Sequence, residues 1–217
     1  MRVSPELETE FPGLRVVELE AYGLRVTTAS PALESLKARV YQEVRTSGLS
    51  LENLKDHPLL KAYRDFYWKV GIDPTKTRPA AEALLRRVLG GREIPAINSL
   101  VDAYNLVSLK TAVAIAAFDS GLVDSRAFLL RRARPGERFL GIGMAEPISL
   151  EGREAVIEET TDHELVAAYP FRNAERGKVT EATQRAFLIM CGVPGIDDPP
   201  LLGARDLCQQ FLSEFCR

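Results

Sequence analysis

The chain has 217 residues, 46% of them hydrophobic and 27% charged, which is enough to bury a core of its own without disulfides or metal. A net charge of −2 argues against a protein that coats nucleic acid by bulk electrostatics, and three cysteines with no Cys-x-x-Cys pair, beside only His57 and His163, argue against a zinc site or a serine–histidine triad. No apolar run approaches the roughly 18 residues of a membrane span and the opening MRVSPELETE lacks a signal-peptide core, so a cytoplasmic protein with no membrane partner is expected.

Residues 14–29 partly alternate and are rich in β-branched side chains, predicting two short strands around Gly23. Ser30-Pro31 then reads as a helix start, with Leu33, Leu36, Val40 and Val44 at helical spacing up to Gly48. A second helix is predicted over 57–70, where Leu59, Leu60, Tyr63, Phe66, Tyr67 and Val70 form its buried stripe. His57 reads as part of that helix start and His163 as part of a hairpin turn. Tyr67 and Trp68 could stack on an exposed base, with core packing as the alternative. The turn-rich GIDPTKTRP follows, with Thr77 placed to cap a third helix whose Leu84, Leu85, Val88 and Leu89 face inward.

The stretch from Pro95 to Asp119 reads as one long apolar helix that carries Asn98, Asp102, Asn105 and Ser108 at spacings of four, three and three. Those spacings align the polar side chains on one face. Two uses are open for such a stripe: a closed internal hydrogen-bond network, or the wall of a pocket. Beyond Asp119 the pattern changes to short apolar runs, read as strands over 127–131, 138–142, 155–158, 164–171 and 186–191. Residues 194–203 read as a linker to a last helix over 201–215. Helices and strands segregate, so the fold class is α+β, a helical N-terminal half on a mostly antiparallel sheet. A single domain is expected: strands and helix over 1–60, a central module over 61–192, and a C-terminal helix over 193–217.

Charge is unevenly spread. Between Lys61 and Arg92 stand eight Lys/Arg against Asp65, Asp73 and Glu82; between Arg126 and Arg138 five Arg stand against Glu137. Lys76, Arg78, Arg86, Arg87 and Arg131 are the candidate phosphate contacts, Lys76 to Arg78 because they precede a helix N-terminus. No Walker loop, Gly-x-Ser-x-Gly elbow or His-Glu-x-x-His occurs, and Gly141-Ile142-Gly143 is too short for a dinucleotide loop. No cofactor and no metal are expected.

Ile97, Asn98, Val101, Asp102 and Asn105, followed by Ala117-Phe118-Asp119, resemble a stretch of the beta subunit of phenylalanyl-tRNA synthetase. Leu130-Arg131-Arg132-Ala133 with Gly136-Glu137 resembles a strand and turn of the same family. Tyr63-Arg64-Asp65, the run Gly71 to Pro79 and Glu82 to Arg87 resemble the free-standing form of that module, the B3/B4 tRNA-binding and editing domain. The resemblance implies a partner, the 3′ end of an aminoacyl-tRNA. It also implies a mild reaction, hydrolysis of a mischarged aminoacyl ester, with a second-sieve pocket setting selectivity. Asn98, Asp102 and Asn105, with Arg172 and Asn173 opposite, are the expected pocket residues, while Asp119 is expected to organise a turn. The chain departs from the synthetase pattern at Ala114 and Ala116 (Pro and His there), at Tyr169 to Asn173 (a Gly-Gly turn there) and at Ile189 (Glu there). Because the His and the Glu are pocket residues in tyrosine-removing synthetases, a remodelled pocket is expected. A non-catalytic RNA-binding or interaction module is the alternative, and a small-molecule pocket the third reading.

Overall fold

The computed structural model describes residues 1–28 and 30–217. In chain order the elements are β1 (Arg2–Val3), α1 (Pro5–Glu10), β2 (Arg15–Tyr22), α2 (Pro31–Thr46), α3 (Pro58–Lys69), α4 (Ala80–Leu89), α5 (Ser99–Thr111) and β3 (Ile115–Asp119). Then come β4 (Phe128–Arg132), β5 (Arg138–Phe139), β6 (Ile148–Ser149), β7 (Ala155–Glu159), β8 (Glu164–Tyr169), β9 (Arg172–Asn173), β10 (Arg185–Gly192) and α6 (Asp198–Phe215). The fold is α+β. A five-stranded sheet runs β1-β4-β7-β8-β9, a three-stranded sheet β2-β10-β3, and β5 and β6 form a small ribbon. Every pairing is antiparallel except β1 with β4.

Local chemistry explains most boundaries. Ser30 caps α2 by accepting from the Leu33 amide, with Pro31 in the first turn. Ser4-Pro5 repeats that device for α1, where Ser4 accepts from Leu7. Residues 15–22 form one strand instead of two, because all eight pair with β10; Ala29, the last residue of the expected pair, lies outside the described residues. Thr77 does not cap α4. Asp73 organises the preceding loop by accepting from the backbone and hydroxyl of Thr75, and Pro79 stands at the helix start. Helix α6 begins at Asp198, so the expected linker from Asp198 to Gly203 belongs to the helix.

The expected helix over 95–119 is two elements. Helix α5 ends at Thr111 because Ala112 takes a left-handed conformation (φ 57°), and the chain turns into β3. A short apolar run such as VAIAAF suits a buried helix or a buried strand equally, so periodicity alone does not separate them.

Buried aromatics join the layers. Phe118, Phe128 and Phe187 make successive edge-to-face contacts at 5.2 and 5.8 Å between the two sheets. On α3, the Tyr63 hydroxyl donates to the Cys191 carbonyl at 2.6 Å and accepts from the Ala114 amide at 3.0 Å, fixing the helix to β10 and to the entry of β3. Tyr67 is buried, whereas its neighbour Trp68 is 56% exposed.

Candidate functional site

The polar stripe of α5 divides by position. Asn98 is the N-cap, accepting from the Val101 amide at 3.0 Å, and is buried. Asp102 is buried against Lys37 of α2, 2.5 Å from its ammonium, and accepts from the Ile97 amide at 3.0 Å. Burial alone would lower the Lys37 pKa, but hydrogen bonds to Asp102 and Glu34 outweigh it and hold the ammonium above its usual range. Asn98 and Asp102 therefore do not line the cavity beside Asn105: the Asn98 oxygen caps α5, and the Asp102 carboxylate ties α5 to α2.

Asn105 differs. It is half-buried, its side-chain amide has no hydrogen-bond partner among the described residues, and it lines a cavity of about 190 Å³. The cavity lies between the two sheets. Ile115 and Ala116 of β3, Ile189 and Cys191 of β10, Ile157 of β7 and Ala167 to Tyr169 of β8 form its walls. Ala116 and Ile189, the two positions of departure from the synthetase pattern, are cross-strand partners on this wall. Cys191 is a wall and not a nucleophile, since burial holds its thiol well above the usual range.

Arg172 and Asn173 share the half-buried rim with Asn105. The Asn173 amide donates to the Ala117 carbonyl at 2.8 Å, which bridges the sheets and leaves its oxygen as an acceptor. Arg172 donates to the Ile142 carbonyl at 2.8 Å and places its guanidinium 5.1 Å from the centre of the Phe171 ring. The stem of Arg172 lies directly over Gly141, where an added Cβ would meet it at 2.3 Å. That close approach is the reason for a glycine that the sequence shows only as a turn residue. The rim thus offers an amide, a carbonyl oxygen and guanidinium donors, while among the described residues no Asp, Glu or His lines the cavity.

Phe171 and Arg172 also line a second depression, of about 510 Å³, with Lys76, Thr77, Arg78, Arg86, Arg87 and Arg92. Arg86 pairs with the buried Glu82 at 2.7 Å and Arg87 donates to the Glu93 carbonyl. Lys76 stays exposed, 4.0 Å from Asp73, and the Arg78 and Arg92 side chains have no partner among the described residues. Arg92 was hidden in the charge run, with nothing in its spacing to mark it. Arg131 does not belong to this groove. It is buried on β4, 2.5 Å from Glu137 and paired with Glu158, which also meets His163 at 2.6 Å. Burial opposes ionisation of Glu137 and Glu158, yet the hydrogen bonds to Arg131 hold both below the usual carboxylate range. Arg131 is a structural ion pair, not a phosphate contact.

A larger cleft of about 550 Å³ opens at the ends of β2 and β10. Its charges are mostly exposed, with Arg126 paired to Asp124, and among the described residues no unspent buried polar group faces it. Nearby, Asp119 organises the turn, accepting from the Gly121 amide at 2.7 Å and the Thr183 hydroxyl at 2.6 Å. Among the described residues no cluster of His, Cys, Asp and Glu could hold a metal ion, and no helix is long and apolar enough to cross a membrane.

The B3/4 domain family model matches residues 62–198, the greater part of the chain, including the cavity, its rim and the groove. The chain belongs to the B3/4 domain family. Among solved structures, this B3/4 protein is similar to an N-terminal fragment of the phenylalanyl-tRNA synthetase beta subunit from Pyrococcus horikoshii, with a TM-score of 0.52 and 14% identity. That likeness covers 99% of this chain and 48% of the fragment, and at such identity it speaks for the fold alone. No curated protein matches it in sequence.

Proposed function

We propose that this B3/4 protein binds the 3′ end of an aminoacyl-tRNA, phosphates in the cationic groove and amino-acid side chain in the cavity, and hydrolyses the ester of mischarged species in trans. The observation that carries this reading is the shared partition: Phe171 and Arg172 line both depressions, so a phosphate in one lies beside a side chain in the other. At 190 Å³ the cavity exceeds the 150 Å³ that accommodates benzene but falls well below the 300 Å³ or more of drug-sized sites, which suits a side chain and not a nucleotide.

The rim residues match the polar parts of an aminoacyl ester. The oxygens of Asn105 and Asn173 can accept from the α-ammonium, and the guanidinium of Arg172 can polarise the ester carbonyl as charge develops on it. With no carboxylate or imidazole in the cavity, water attack relies on positioning and on the vicinal hydroxyl of the substrate ribose. The same lack of a general base favours the second reading, a module that binds the charged end without cleaving it.

Incubation with a panel of aminoacyl-tRNAs separates the two. Faster ester loss for at least one amino acid is the expected result. Binding of charged tRNA with unchanged ester lifetime across the panel would assign the non-catalytic role, and no binding at all would refute both.

A further inference from the structure

Burial sorts the cavity lining into a floor and a mouth. Ile157 and Ile189 are 0% exposed, Tyr169 1%, Cys191 2% and Ala167 3%. The polar side chains on the lining, Tyr104, Asn105, Arg172 and Asn173, are all half-buried and none belongs to that floor. On the floor the Tyr169 hydroxyl has its hydrogen committed, donating to the Gly192 carbonyl at 2.9 Å. The Cys191 thiol is a weak partner at best. A hydroxyl carried to this floor would leave water with only the Tyr169 oxygen and that thiol in exchange, too little to offset its desolvation.

We infer that the cavity admits an apolar amino-acid side chain, from branched aliphatic to unsubstituted aromatic, and discriminates against the isostere bearing a hydroxyl. Ala116 and Ile189 set this preference as a cross-strand pair without a polar atom on either side chain. The inference rests on the proposed docking of an aminoacyl end at this site. Charged side chains are refused more strongly, for the same reason of uncompensated desolvation.

Non-hydrolysable 3′-aminoacylamino-3′-deoxyadenosines test it in matched pairs, valyl against threonyl and phenylalanyl against tyrosyl, with dissociation constants measured by calorimetry on the whole chain. The apolar member is expected to bind about 10- to 100-fold more tightly in at least one pair, the range an apolar pocket achieves against an added hydroxyl. Equal binding within both pairs, or preference for the hydroxyl, would overturn the inference while leaving the docking site standing. Failure of every analogue to bind would overturn both. Ala116→Ser, at a half-buried position that tolerates a small hydroxyl, is expected to narrow the gap, and an undiminished gap would count against this wall as its source.

Discussion

Asp102 and Asn105 stand three residues apart on one helix, yet their surroundings are opposite. Around Asp102 a buried ammonium and a backbone amide take up the carboxylate, and α2 covers it. Around Asn105 no group among the described residues takes up the amide, and a cavity opens beside it. The arginines repeat the contrast. Arg131 is buried between two carboxylates, while Arg78 and Arg92 stand in a groove without a partner among the described residues. A polar group whose bonds are all made inside the protein serves the fold; one left open at a concave surface is available to a ligand.

The contrast is broken most severely at Arg131. Arg131→Met takes from two at least partly buried carboxylates the guanidinium they share, leaving Glu158 with His163 and the exposed Arg134, and is expected to cost about 4 kcal/mol in chemical denaturation. Because the folded pKa values of Glu137 and Glu158 are depressed, their stabilisation is present above the unfolded carboxylate value of about 4.3 and is lost as pH falls through the lower folded values. The gap between wild type and Arg131→Met should therefore close on acidification below that point; a pH-independent gap would mean the ion pairs are not its source. Asp102→Ala leaves Lys37 with the exposed Glu34 alone and is expected to cost about 3 kcal/mol, with tRNA affinity per folded molecule unchanged. Affinity lost without stability would return Asp102 to the site.

The groove should answer in the other way. Replacing Lys76, Arg78 and Arg92 together by Ala is expected to leave the melting temperature within a few degrees and to lower the slope of log affinity against log salt by about 2 to 3. An unchanged slope would remove the groove from the footprint. Asn105→Ala is the mildest change: stability within about 0.5 kcal/mol and roughly tenfold weaker binding of an aminoacyl-adenosine analogue, the worth of one hydrogen bond.

Helices α2, α3 and α4 were legible because each carries a helical period and a chemical stop, Gly48, Gly71 or Gly90, and strands β4, β7, β8 and β10 because each is a short apolar run set between turn residues. The break between α5 and β3 was not, since both sides of Ala112 are apolar and the left-handed residue there is not a glycine. Of the expected pocket residues, Asn105, Arg172 and Asn173 meet at one rim. Asn98 and Asp102 share the helical face but not the opening, because spacing identifies a face and does not say which turn of it the neighbours cover. Lys76, Arg78, Arg86 and Arg87 share the groove, whereas Arg131 looks the same in sequence and differs through Glu137 in the turn that follows β4 and Glu158 on the neighbouring strand β7. The apolar pairing of Ala116 with Ile189 was visible as two separate departures; only strand register shows them to be one surface.

A side chain that belongs to two neighbouring depressions ties their affinities together. Arg172 rests on Phe171 and over Gly141, held where both can use it. Under the proposed function, any factor by which an occupied groove tightens the grip on the amino acid must, by thermodynamic reciprocity, be the factor by which a well-fitting amino acid tightens the grip on the nucleotide. An uncharged tRNA would forgo that mutual gain and leave sooner.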